Sequence, residues 1–242
     1  MTDLIALKVA NAKRWASAKT TRDFTAVAKR LVAPFAKGRY QDVQDRTAVP
    51  WWVIAVIHER EASQRFDTQL GQGDPLNEVS RHVPTGRGPF KTWEDGAIDA
   101  LVNCAPHAAL NKDWSAAGAM TLLETYNGLG YANHGVPSPY VWSGTDQYRS
   151  GKYVRDGVFD PNVIDSQLGC AGLLMEMMKL DPNITFTGSI VQQPTPRPTP
   201  VPPVAPRPTA PPPPSISHPA SGSIGASIAS LFSAILSIFK RK

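Results

Sequence analysis

The chain has 242 residues, a formal net charge of +5 and two cysteines. That length holds one domain of ordinary size plus additional segments. Five basic residues (Arg197, Arg207, Lys240, Arg241 and Lys242) follow position 193 with no acidic residue among them, which leaves 20 basic residues against 20 acidic ones over 1–193. A nucleic-acid-binding domain carries its basic patch on the folded domain itself, so nucleic acid is not an expected partner.

Residues 4–18 place Leu4, Ile5, Val9, Ala10 and Trp15 at helical spacing, and a second helix is expected over 20–36, capped by Thr20 or Thr21. After a break at 45–49, Pro50 suits the first turn of a helix from 51 to about 63, apolar nearly all round and therefore central and buried. Residues 67–95 hold four glycines and three prolines and read as loops with a short hairpin. Helical spacing returns over 94–105 and 113–127, the latter with Asp113 as its cap; 128–161 reads as a long structured loop, and 163–180 as a last helix stopped by Asp181-Pro182. Cys104 and Cys170 allow either one disulfide or two buried free thiols.

The chemistry concentrates at the end of the apolar helix, in "PWWVIAVIHEREAS". Ile54 and Ile57 lie seven and four residues before Glu61, so the carboxyl continues their stripe to the point where the helix gives way to a Gly-rich loop. A carboxyl removed from water holds its proton more tightly, as a general acid for glycosidic cleavage requires. Glu59 sits about 200° away round the helix, so the two cannot serve one site equally. Asp74 and Asp67, in the adjoining loop, are candidates for a second carboxylate; Asp74 is preferred because Gly73 and Pro75 flank it, although a turn aspartate bonded to its own backbone is an equal reading. Five of the six tyrosines fall between 126 and 153, with Trp142 among them, next to Asn and Gly, as a sugar-binding groove requires, while packing a loop-rich core is the other role open to several of them. His58, His82, His107 and His134 show no HExxH or close His–Asp spacing, so a zinc amidase is disfavoured and no metal or cofactor is expected.

The stretches "IHEREASQRFDTQLGQGDPL", "LLETYNGLGY" and "SPYVWSG" resemble the lysozyme-like proteins of phages and prophages, which are similar to goose-type lysozymes and soluble lytic transglycosylases. The resemblance covers about 50–180. It implies a mainly α, lysozyme-like domain with a small loop or hairpin region, and cleavage of the MurNAc–GlcNAc bond of peptidoglycan. It implies Glu61 as the acid, with Ser63, Tyr126, Asn127, Gly128, Tyr131, Tyr140 and Trp142 along the substrate groove. Ala62 stands between Glu61 and Ser63, where the family has an adjacent Glu–Ser pair, and the family's Gly-Leu-Met-Gln motif is replaced by "GRGPF". A lytic transglycosylase that leaves 1,6-anhydro ends is the enzymatic alternative, and loss of catalysis with retention of wall binding the non-enzymatic one.

The expected organisation is a catalytic domain over 1–188 (N-terminal helices at 1–45, core at 50–180), a disordered Pro-rich linker at 189–221 and an apolar C-terminal helix at 222–242. Twelve of the 23 prolines lie between Pro194 and Pro214, a composition that favours extended polyproline II. In the last segment Ile224, Ile228, Leu231, Phe232, Ile235 and Phe239 share one helical stripe before a terminal Lys-Arg-Lys, so membrane contact is expected, either across the bilayer or along its surface, with a disordered appendage as the third reading. With no basic leader followed by an apolar run at the N-terminus, a phage endolysin held as a monomer in the host cytoplasm until lysis, and acting in the periplasm, is the expected setting.

Overall fold

A computed structural model describes residues 2–187. The Pro-rich and C-terminal segments predicted at 189–221 and 222–242 lie outside the described residues. The described part is mainly helical: α1 (Leu4–Ser17), α2 (Thr25–Val32), α3 (Pro34–Thr47), α4 (Trp51–Ala62), α5 (Trp93–Val102), α6 (Ala116–Tyr126), two single-turn helices α7 (Gly130–Asn133) and α8 (Pro139–Trp142), a hairpin of β1 (Lys152–Arg155) and β2 (Val158–Asp160), and α9 (Cys170–Leu180). Among these residues no helix is long and apolar enough to cross a membrane.

The core is built round α4. Its residues Val53 to Ile57 have no exposed surface, and it packs against α2, α3 and α9. A helix apolar on every side is stable only when other elements cover all of it. Trp51 starts the helix, and its backbone N–H is satisfied by the Gln44 side chain at 2.8 Å; Pro50 is the residue before the first turn rather than within it.

Four predicted elements differ in the structure. The helix expected over 20–36 is two helices. Pro34 disfavours helical backbone at the residue before it, and Ala33 is extended at φ −58°, ψ 140°. α2 therefore stops at Val32, and α3 starts afresh with Pro34 in its first turn and runs on to Thr47. Thr20 instead bridges Thr145, and Asp23 accepts the Thr25 N–H at 2.8 Å. Second, α6 is capped by Ser115, whose side chain accepts the Gly118 N–H; Asp113 accepts the Ser115 N–H one step earlier. Third, the hairpin lies at 152–160, inside the stretch read as loop. The 67–92 stretch is loop, with one bridge between Thr68 and Pro75, and α5 already begins at Trp93. Fourth, the last helix, expected from 163, starts only at Cys170. Cys104 and Cys170 are free thiols.

α9 approaches the rest of the molecule closely at its N-terminus. A methyl group on Gly169 would lie 2.6 Å from both the Ser143 nitrogen and the Val141 oxygen, which are backbone atoms that cannot rotate away. Gly169→Ala is therefore expected to lose about 1–3 kcal/mol. Gly38, inside α3, has nothing within 4 Å of the same position, so Gly38→Ala should gain up to about 1 kcal/mol from helix propensity. Urea unfolding of the two variants checks the opposite signs.

Candidate active site

α4 ends in a turn that sequence alone did not indicate. Ser63 and Gln64 are consecutive non-glycine residues in the left-handed region, at φ 50° and 61°. Each such residue costs on the order of 1–3 kcal/mol and persists only where its surroundings hold it. The holding contacts are present. The Ser63 N–H donates to Glu59 O and the Gln64 N–H to His58 O. The Gln64 amide also exchanges bonds with Arg30, donating to its carbonyl and accepting from its guanidinium.

His58 clamps the same turn from inside. Its Nε2 lies 2.9 Å from the Arg65 carbonyl, which can only accept, so Nε2 carries the hydrogen and Nδ1 accepts from the Tyr40 hydroxyl at 3.0 Å. Phe66, Trp93 and Tyr40 surround the ring. Burial pushes the imidazole down to about 4, against the bond to Arg65, which favours the charged form. The unfolded chain binds a proton at His58 at a higher pH than the folded chain does, near 6.5. The stabilisation by neutral His58 is thus complete above about pH 6.5 and is lost as pH falls toward 4, a loss of about 3 kcal/mol. Chemical unfolding at pH 7 and pH 4 should show His58→Gln losing less stability than wild type by about that amount.

The two glutamates of α4 face different surroundings. Glu59 pairs with Arg30, whose Nη2 is 3.3 Å from both carboxylate oxygens. Desolvation nevertheless raises the Glu59 pKa. Glu61 is half-buried in the last turn of α4. Burial raises the pKa of the Tyr126 and Tyr140 hydroxyls far above the normal range, and the next contribution to each is the negative charge of Glu61. Cys170, at the start of α9, also feels that charge. The Tyr140 hydroxyl is buried and has no hydrogen-bond partner. The charge of Glu61 thus acts on two phenols and a thiol that come from three separate segments.

Arg60, between the glutamates, is locked into the interior. Its Nη2 is 3.0 Å from Asp165, its Nη1 3.2 Å from the Leu168 carbonyl, and its guanidinium lies 4.8 Å from the Tyr140 ring centre. Both side chains of the ion pair are more than nine-tenths buried. Asp165 also accepts from Lys152 at 2.9 Å, and these bonds outweigh desolvation to hold its pKa low. Nothing in the sequence pointed to Asp165, which lies 105 residues from its partner.

Other predicted site residues have structural positions. Asp74 is buried: its Oδ2 accepts the backbone N–H groups of Arg81 and His82, each at 2.9 Å, and its Oδ1 lies 2.6 Å from His82 Nδ1. Desolvation would raise its pKa, but these bonds lower it. Asp74 is thus an anchor for the 74–82 loop, with both oxygens engaged by groups seven and eight residues on rather than by its own turn. Asp67 is mostly exposed and paired with Arg65. Tyr131 is buried, and its hydroxyl accepts the Tyr153 N–H at 3.3 Å, so it docks the hairpin. Trp142 has no exposed surface and Tyr140 only 2 %, so neither ring offers a face for a sugar to stack on. Both were expected along a groove; they lie beneath the surface because α8 is covered by α6 and α9. Ser63 is exposed at the end of α4, Asn127 caps the C-terminus of α6, and Gly128 turns the chain there at φ 92°. His82 serves the Asp74 loop, the His107 ring bonds the Val102 carbonyl, and His134 stacks on Phe159.

No family model matches the chain, and comparisons with characterised proteins and with solved structures return no match.

Proposed function

We propose that this protein is a peptidoglycan-cleaving muramidase with a lysozyme-like helical domain, in which Glu61 is the general acid. The observation that carries this reading is the setting of Glu61. It is a half-buried carboxyl in the last turn of a helix buried from Trp51 to His58, and its charge acts on the desolvated hydroxyls of Tyr126 and Tyr140. In this reading Glu61 delivers a proton to the oxygen of a glycosidic bond. As that bond breaks, positive charge develops on the sugar ring, and the resulting Glu61 carboxylate stabilises it.

The fate of the sugar cation depends on a second nucleophile. An inverting hydrolase holds water on a second carboxylate. The engagement of both Asp74 oxygens favours the alternative, in which the muramic 6-hydroxyl attacks and leaves a 1,6-anhydro end, with Glu61 recovering the proton. Mass spectrometry of material released from purified peptidoglycan tests both levels. Anhydro ends are expected, lighter by one water than the reducing ends a hydrolase gives. Sedimentation of the protein with the wall and no release would instead support a non-catalytic wall-binding protein. The phage endolysin setting, action as a monomer and membrane contact through 222–242 belong to the same proposal and rest on the sequence.

A further inference from the structure

We propose that Asn11, on the N-terminal helix α1, is a positioning residue for the Glu61 site, holding in register the two segments that carry Tyr126 and Tyr140. Asn11 has no exposed surface. Its amide nitrogen donates to Glu124 Oε2 at 3.1 Å and to Thr121 Oγ1 at 3.3 Å, both on α6. Its carbonyl oxygen accepts from Trp142 Nε1 on α8 at 3.3 Å and from Arg14 at 3.0 Å. An asparagine side chain has two donor hydrogens and two acceptor positions, and all four are in use. The amide cannot flip: its NH2 would then face the indole N–H and the guanidinium, and its oxygen would face a carboxylate.

The two partners lie close in sequence to the site. Glu124 is two residues before Tyr126, and Trp142 is two residues after Tyr140. Glu124 is itself fully buried, and its other oxygen has no partner, so the bond from Asn11 is one of the few that fix it. Desolvation raises the Glu124 pKa, opposed by Asn11 and by the charge of Arg14. α1 lies outside the stretch that resembles lysozyme-like proteins, yet its one buried polar side chain connects both tyrosine-bearing segments. Misplacing a catalytic constellation by about 1 Å costs on the order of a hundredfold in rate.

The kinetic part of the test rests on the muramidase reading; a spectroscopic part does not. Asn11→Asp keeps the acceptor toward Trp142 and sets two carboxyls against each other. Adding Glu124→Gln restores a donor opposite an acceptor, with the roles exchanged. With peptidoglycan, at a temperature where each variant is folded, Asn11→Asp should lower kcat roughly tenfold or more with KM little changed, and the double variant should recover most of it. In tyrosine-labelled protein the ring resonances of Tyr126 and Tyr140 should move in the single variant and return in the double, with Tyr40 unmoved. Asn11→Ala, which removes the hub without adding charge, should give the same pattern if Asn11→Asp does not fold. A less stable variant with wild-type kcat and unmoved Tyr126 and Tyr140 resonances would overturn the proposal. If wild type releases nothing from peptidoglycan, the muramidase reading fails, and the resonances still decide whether Asn11 positions the tyrosines.

Discussion

Glu61→Gln is expected to lower the release of muropeptides by roughly a hundredfold to ten-thousandfold, the usual contribution of a general acid. The amide has the size of the carboxyl and no proton to give. Circular dichroism and the unfolding midpoint should show a folded protein, because the change leaves the α4 core from Val53 to Ile57 untouched. Glu59→Gln is the matched control. It weakens a pair with Arg30, itself half-exposed, and a pair so placed contributes about 1 kcal/mol or less, so most activity should remain. Release by Glu61→Gln at the wild-type rate would remove Glu61 from the chemistry. Loss with Glu59→Gln alone would move the acid by two residues.

The largest loss of stability is expected at Asp165. Asp165→Ala leaves the Arg60 guanidinium inside the protein without its carboxylate, a change that typically costs about 3–5 kcal/mol. Lys152 is one-third exposed and can turn toward water, so most of the cost falls on Arg60. Replacing both members together, Arg60→Met with Asp165→Leu, should recover much of the loss, since a buried ion pair is frequently no better than well-packed apolar side chains. Urea unfolding of the two single variants and the double gives the coupling. A loss below about 1 kcal/mol in Asp165→Ala would mean that the pair is solvated and does not hold the end of α4. Activity carries further information. Arg60 packs on Tyr140 and precedes Glu61, so the double variant should be stable yet slower, separating the energetic role of the pair from its geometric one.

Much of the architecture was legible in the chain. The run Trp51 to Ile57 is apolar in every direction, and a helix of that kind has one stable place, the centre. The separation of Glu59 from Glu61 followed from helical geometry; in the structure Glu59 pairs with Arg30, while the charge of Glu61 acts on Tyr126 and Tyr140. The break before Pro34 was equally available, because proline restricts the residue before it, but an apolar period running across it masked the signal. The tyrosine-rich stretch has the composition of a sugar-binding groove, and equally of a packed loop-rich core. Composition cannot separate a ring that lines a groove from one that fills a core, and Tyr140 and Trp142 are of the second kind.

Local pattern therefore determined which segments are helical, which helix is central and which carboxyl stands at its end. These outcomes depend on residues within a few positions of one another, where steric restriction and hydrophobic period act directly. Tertiary structure decided the rest. It gave Asp74 three donors from a loop that folds back on it, paired Arg60 with Asp165, and made Asn11 the link between α6 and α8. Sequence separation carries no information about such partners. What selects them is the cost of leaving a buried charge or amide unpaired, and that cost exists only once the chain has folded round it.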